Sequence, residues 1–131
     1  MEKKIRTITV RNTQYVYWYY LGDECTQINL SPINDKTITV QIHFHNVTGT
    51  SHSDSAWFWE LIKINALKDD MPVLIKLIQP GFIAELIELL QNDAPHLFLT
   101  RNKKTVYENG YKLLEKMGYS AIEPVWNSRL W

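Results

Sequence analysis

Three of the four histidines of this chain, His43, His45 and His52, fall within the stretch TVQIHFHNVTGTSH. On a β-strand, side chains at i and i+2 leave the same face. His43 and His45 therefore present two imidazoles together, a geometry that suits a borderline metal ion such as zinc. His52 would be the third ligand, across NVTGTS, with Asp54 or Glu60 beyond it. The same alternation groups both rings with Thr37, Thr39 and Gln41, opposite Ile38, Val40, Ile42 and Phe44. The simpler expectation is a solvent-facing histidine pair on a half-buried strand. No aspartate, glutamate or cysteine lies in that strand to complete a ligand set.

Other reactive side chains are sparse. Cys25 follows Gly22-Asp23-Glu24, and acidic neighbours raise a thiol pKa, the wrong direction for a nucleophile. Ser51, Ser53 and Ser55 flank His52 without a G-x-S-x-G elbow. YVYWYY sets Tyr15, Tyr17 and Tyr19 on one strand face and Trp18 and Tyr20 on the other. Such a row either enters a core or forms a contact surface; a protein partner suits it better than nucleic acid. MPVLIKLIQPGFIAELIELL runs an apolar segment into a helix start at Pro80-Gly81, where free backbone N–H groups form an anion site.

Residues 73–131 resemble the C-terminal half of the GCN5-related N-acetyltransferases. The resemblance is carried by LEKMGY (Leu114 to Tyr119), similar to that family's helix-end signature, by GFIAEL (Gly81 to Leu86), similar to its pyrophosphate loop, and by Asn102. It implies acetyl-CoA as cofactor, with the amides of Gly81, Phe82, Ile83 and Ala84 facing the pyrophosphate. Asn102 and Tyr111 would then be the polar catalytic residues. Leu114 stands where the family's tyrosine aligns, and Tyr111 is one turn earlier. The implied reaction is direct attack of an amine on the thioester, with the tyrosine protonating the leaving thiolate.

The elements that must position these groups divide the chain by pattern. Residues 4–45 read as an antiparallel β-meander: KIRTITV, QYVYWYYL, TQINL and KTITVQIHF, joined by RNT, LGDE and SPIND. SDSAWFWELIKINALKDD predicts a helix with Trp57, Leu61 and Ile64 on one face. MPVLIKLI and PHLFLT fit buried strands, FIAELIELLQND and NKKTVYENGYKLLEKMGY helices, and the end a hairpin around Asn127-Ser128. Gly110 counts against the third helix, and Gly118 suits its C-terminus. The expectation is a single domain, 1–131, of mixed α/β (α+β) class. The meander is followed by β-α-β-α-β units in one mixed sheet with parallel crossovers.

Composition bounds what such a domain does. At 131 residues and 45% hydrophobic, the chain can bury a core without staples. Fourteen basic residues balance fourteen acidic ones, which argues against nucleic acid as a partner and against charge-driven binding to a membrane. One cysteine excludes an internal disulfide, and MEKKIRTITV has no signal-peptide core, so a cytoplasmic protein is expected. Three functions follow as expectations: an acyl-CoA-dependent N-acyltransferase or degenerate relative, a protein-binding or inhibitor module of phage or mobile-element type, and a metal-binding protein using the histidines. The aromatic excess and the RLW terminus also suit a homo-oligomer.

Overall fold

Two hairpins are closed by two-residue loops in which both residues take positive φ: Arg11-Asn12 (52° and 67°) and Asp69-Asp70 (54° and 64°). Two successive positive φ values match the right-handed twist of the strands they join. The first loop links β1 (Arg6–Val10) to β2 (Thr13–Leu21), and the second links β5 (Lys63–Lys68) to β6 (Met71–Lys76). The computed structural model describes residues 5–21, 25–45, 63–77 and 79–124. Its other elements are β3 (Cys25–Pro32), β4 (Thr39–His45), α1 (Pro80–Asp93), a 3-10 turn (Pro95–Phe98), β7 (Lys104–Tyr107), α2 (Gly110–Lys116) and β8 (Tyr119–Pro124).

The protein is mixed α+β, and its N-terminal half is the antiparallel meander expected. A five-stranded sheet has the order β1-β2-β3-β4-β7, with β7 parallel to β4 and the other pairs antiparallel. β6, β5 and β8 form a second, antiparallel sheet of three strands. The expected single sheet is thus divided among the described residues, and the segments around α1 and α2 do not form a continuous parallel run.

Alternation fixes which face is buried. Ile28, Leu30, Val40, Ile42, Phe44, Tyr15 and Tyr17 all lie on the inner face, essentially inaccessible. α1 covers them with Phe82, Ile83, Leu86, Ile87 and Leu90, one face of its helical repeat. Phe44 meets Phe82 and Tyr111 edge-on, at ring-centroid distances of 6.4 and 5.6 Å. Ile64, Ala66, Ile75 and Tyr119 from the second sheet join the same core. Burying each large side chain is worth about 1.5–3 kcal/mol. A one-residue slip of β4 would expose that row and bury its histidines, so the register is firmly held.

Several expected elements differ. KINALK is strand β5, not the end of a helix: Ile64 and Ala66 are buried and Asn65 between them is exposed, a period of two. The rest of that expected helix, with Trp57 and Leu61, lies outside the described residues, as does the hairpin around Asn127-Ser128. MPVLIK is an edge strand rather than a buried one, with Met71 and Leu74 exposed. PHLFLT is a 3-10 turn because Pro95 opens it and only Leu97 is buried. NKKTVYENGYKLLEKMGY holds a strand and a helix: Lys104–Tyr107 pairs with β4, and the helix begins only at Gly110. The glycine that counted against a long helix stands at the start of a short one. A Cβ on Gly110 would sit 2.6 Å from the Phe44 ring, so only glycine lets α2 pack here. Gly118, at φ 100°, ends the helix as expected.

Candidate metal centre at the end of strands β3 and β4

The outer face of β3 and β4 carries the polar halves of both alternations. Across the pair, Asn29 stands opposite Gln41, Gln27 opposite His43, and Cys25 opposite His45. Thr26, Ile28 and Leu30 turn to the core between them. The ligand atoms of Cys25, His43 and His45 all lie within 4.8 Å of one another. The His43 and His45 rings are 5.7 Å apart and tilted by 57°. His43 and Cys25 are half-buried and His45 is exposed, so the cluster opens to solvent at the strand ends.

A chain of side-chain amides supports His43 from below. Asn29, almost wholly buried, donates from Nδ2 to Gln27 Oε1 at 3.4 Å. Gln41 Nε2 donates to Asn29 Oδ1 at 2.9 Å. Gln41 Oε1 then meets His43 Nε2 at 2.8 Å. The other ring nitrogen, Nδ1, is 3.7 Å from Glu108 Oε1. Ile42 pairs with Tyr107 in the parallel β4–β7 ladder, which brings the next residues, His43 and Glu108, side by side.

Tyr111 braces the same end from the core side. Its hydroxyl donates to the His45 carbonyl at 2.8 Å. Burial, then the nearby Cys25, pushes its phenol up to about 12. The Cys25 thiol is also raised: burial is the main cause, the Phe44 backbone N–H opposes it, and Glu108 adds to it. The direction is the one acidic neighbours predict, but the dominant cause is burial. A raised thiol is a poor free nucleophile. A thiol beside two imidazoles is also a donor type that a metal ion can take by displacing its proton.

The residues singled out in sequence fall into three places. His43 and His45 belong to this cluster; His52 lies outside the described residues. Gly81, Phe82, Ile83 and Ala84 form the first turn of α1. Gly81 is exposed and open, whereas Phe82 and Ile83 are buried in the core. Gln79 caps that helix without a side-chain hydrogen bond, so its first amides have no side-chain cap. A shallow pocket beside them is lined by Lys76, Gln79, Gly81, Phe82, Glu85 and Tyr119; neither Asn102 nor Tyr111 lines it. Asn102 sits in a turn at φ 58°, its N–H donating to Thr37 Oγ1 at 3.0 Å. It does not start a helix: Asn109 does, accepting from the Tyr111 N–H at 3.0 Å. Asn102 precedes β7 and Tyr111 follows it, so the two lie toward opposite ends of that strand.

Glu108, and Cys25 as a neighbour of the histidines rather than a nucleophile, are what the sequence reading missed. Each lies on a different strand or loop from the histidines, and only the pairing register brings them in. For Cys25 a signal existed: CTQINL alternates as cleanly as TVQIHFH, so its polar row had to share a face with its neighbour's. No helix of the described residues is long and apolar enough to cross a membrane. The chain matches no protein-family model, no curated protein and no solved structure.

Proposed function

We propose that this protein binds a transition-metal ion, with zinc as the best fit, through Cys25, His43 and His45. One observation carries the proposal: one thiol and two imidazoles from two paired strands offer their ligand atoms within 4.8 Å of one another. Thiolate and imidazole are the ligands of zinc, at about 2.3 and 2.0 Å. Donors at those lengths in a tetrahedral site are about 3.3–3.8 Å apart, so a contraction of roughly 1 Å closes the cluster. His45 is exposed, leaving the ion open to solvent and to a fourth donor. A His2Cys set also suits copper in a shielded site; the open strand ends here favour zinc. The test is zinc titration of the metal-free protein by calorimetry, with inductively coupled plasma analysis of bound metal. Stoichiometric binding lost in Cys25→Ala and His43→Ala supports the proposal; absence of binding overturns it.

The exposed start of α1 favours a second reading, that of an acyl-CoA-binding protein related to the N-acetyltransferases. Gly81 leaves open space where a side chain would stand, and no acidic residue lies in the first turn. Those features suit a pyrophosphate, while Glu85 in the pocket lining opposes it. Acetyl-CoA at millimolar concentration raises the melting temperature of wild type but not of Gly81→Glu if this is right. An unchanged melting temperature in both removes it.

A further inference from the structure

If Cys25, His43 and His45 hold an ion, which nitrogen of His43 is the ligand, and what is the fourth donor? The buried amide chain answers the first question. Asn29 donates to Gln27, so its oxygen is free to accept from Gln41. Gln41 spends its NH2 on Asn29 and turns its oxygen to His43 Nε2 at 2.8 Å. Two acceptors cannot share that contact, so Nε2 carries the hydrogen. Reversing Gln41 alone would set its NH2 away from the Asn29 oxygen, and Asn29 is almost wholly buried, with little water to compensate. With the amide chain running in this direction, a neutral His43 ring has its lone pair on Nδ1.

That lone pair is aimed at a carboxylate. Nδ1 lies 3.7 Å from Glu108 Oε1, close to the separation of two donors on one zinc ion. Two acceptors face one another across that gap, an arrangement that a cation between them relieves. Glu108 is free to move in: its side chain is 76% exposed, against 18% for His43. Its backbone is held by the strand beside β4 and by the helix cap at Asn109.

We infer that His43 binds the ion through Nδ1, positioned by the Gln27–Asn29–Gln41 amide chain, and that the Glu108 carboxylate is the fourth ligand. This rests on the metal-site reading above. The site is then one thiolate, two imidazoles and one carboxylate, contributed by β3, β4 and the loop after β7. Gln41 is a positioning residue: it touches no ion and acts by holding the His43 ring and its tautomer, as groups behind metal-ligating histidines commonly do.

Cobalt(II) and zinc(II) titrations of wild type, Glu108→Gln, Gln41→Leu and His43→Ala, with NMR of the labelled histidine rings, test this. Glu108→Gln should weaken zinc binding by about 10- to 100-fold. It should also alter the cobalt d–d bands while keeping the thiolate-to-cobalt charge-transfer band, and leave metal-free stability unchanged. In wild-type protein the His43 proton should sit on Nε2 with and without zinc. In Gln41→Leu that preference should disappear and affinity fall. Glu108→Gln binding zinc as tightly as wild type, or a zinc-bound His43 with its proton on Nδ1, overturns the inference while binding lost in His43→Ala leaves the three-residue site standing. Failure of wild type to bind either metal overturns both.

Discussion

Cys25 and His45 stand directly opposite one another across the β3–β4 pair, so that the single thiol of the chain faces an imidazole. His43 lies two residues along on the same face, and the three ligand atoms fall within 4.8 Å. Histidines that look like a solvent-facing pair along their own strand become a three-donor cluster once the neighbouring strand is in register.

Zinc should raise the thermal stability of the native protein. At about a hundredfold excess over Kd the gain is about 2.7 kcal/mol. At roughly 4 °C per kcal/mol for a domain of this size, that is on the order of 10 °C in Tm. Cys25→Ala and His43→Ala should lose the gain, and His96→Ala, on the exposed 3-10 turn, should keep it. Differential scanning calorimetry with and without zinc decides it; equal shifts in all variants mean that the ion binds elsewhere.

Gly110→Ala should destabilise the fold by about 1–3 kcal/mol, the range for overpacking. The added methyl would meet the Phe44 ring at 2.6 Å. Phe44→Leu in the same chain should make the alanine cheaper, because the ring edge is gone. A double-mutant cycle in urea measures the coupling. Additive effects would show that Phe44 is not the obstacle.

Asn109 and Asn102 should separate cleanly. Asn109→Ala removes the side-chain acceptor for the Tyr111 N–H and should cost about 1 kcal/mol. Asn102→Gly should be close to neutral or slightly stabilising, because its backbone already has φ 58°, where glycine is unstrained. Urea midpoints give both numbers, and a larger loss at Asn102 would contradict the placement of the helix start.

Tyr119 should make the protein sensitive to alkali. Its phenol is pushed up to about 12 by burial, then by its hydrogen bond to the Glu85 carboxylate and that group's charge. The unfolded group titrates near the ordinary tyrosine value of about 10. Below that pH both states hold the proton and the contribution is complete. Above it the unfolded chain gives up a proton that the folded protein keeps, so stability falls until the pH passes the folded value. Tyr119→Phe should flatten the fall without abolishing it, since Tyr111 is raised to about 12 as well. Parallel stability curves for wild type and Tyr119→Phe would rule this out.

The faces of the meander were readable because alternation is local. Ile42 and Phe44 inward and His43 and His45 outward follow from Thr39–His45 taken alone, whereas which aromatic row of β2 is buried, Tyr15 and Tyr17, was left open by its alternation. The second half was harder for a physical reason. Short mixed runs such as KINALK and KKTVY suit either period until a partner is known, and β7 is a strand because β4 offers it a ladder. Gly110 read as a flaw in a helix since its reason, the Phe44 ring, lies far away in sequence.

What the residues alone determined is the set of side chains that share each strand's outer face: Cys25, Gln27 and Asn29 on one, Gln41, His43 and His45 on the other. That follows from the two-residue pleat, which needs no partner. Which of them meet was decided only by tertiary structure. The β3–β4 register sets Cys25 against His45, the parallel β4–β7 ladder sets Glu108 beside His43, and the buried Asn29 amide directs the His43 ring. Register is a property of a pair of strands and their connection, so no single strand can carry it.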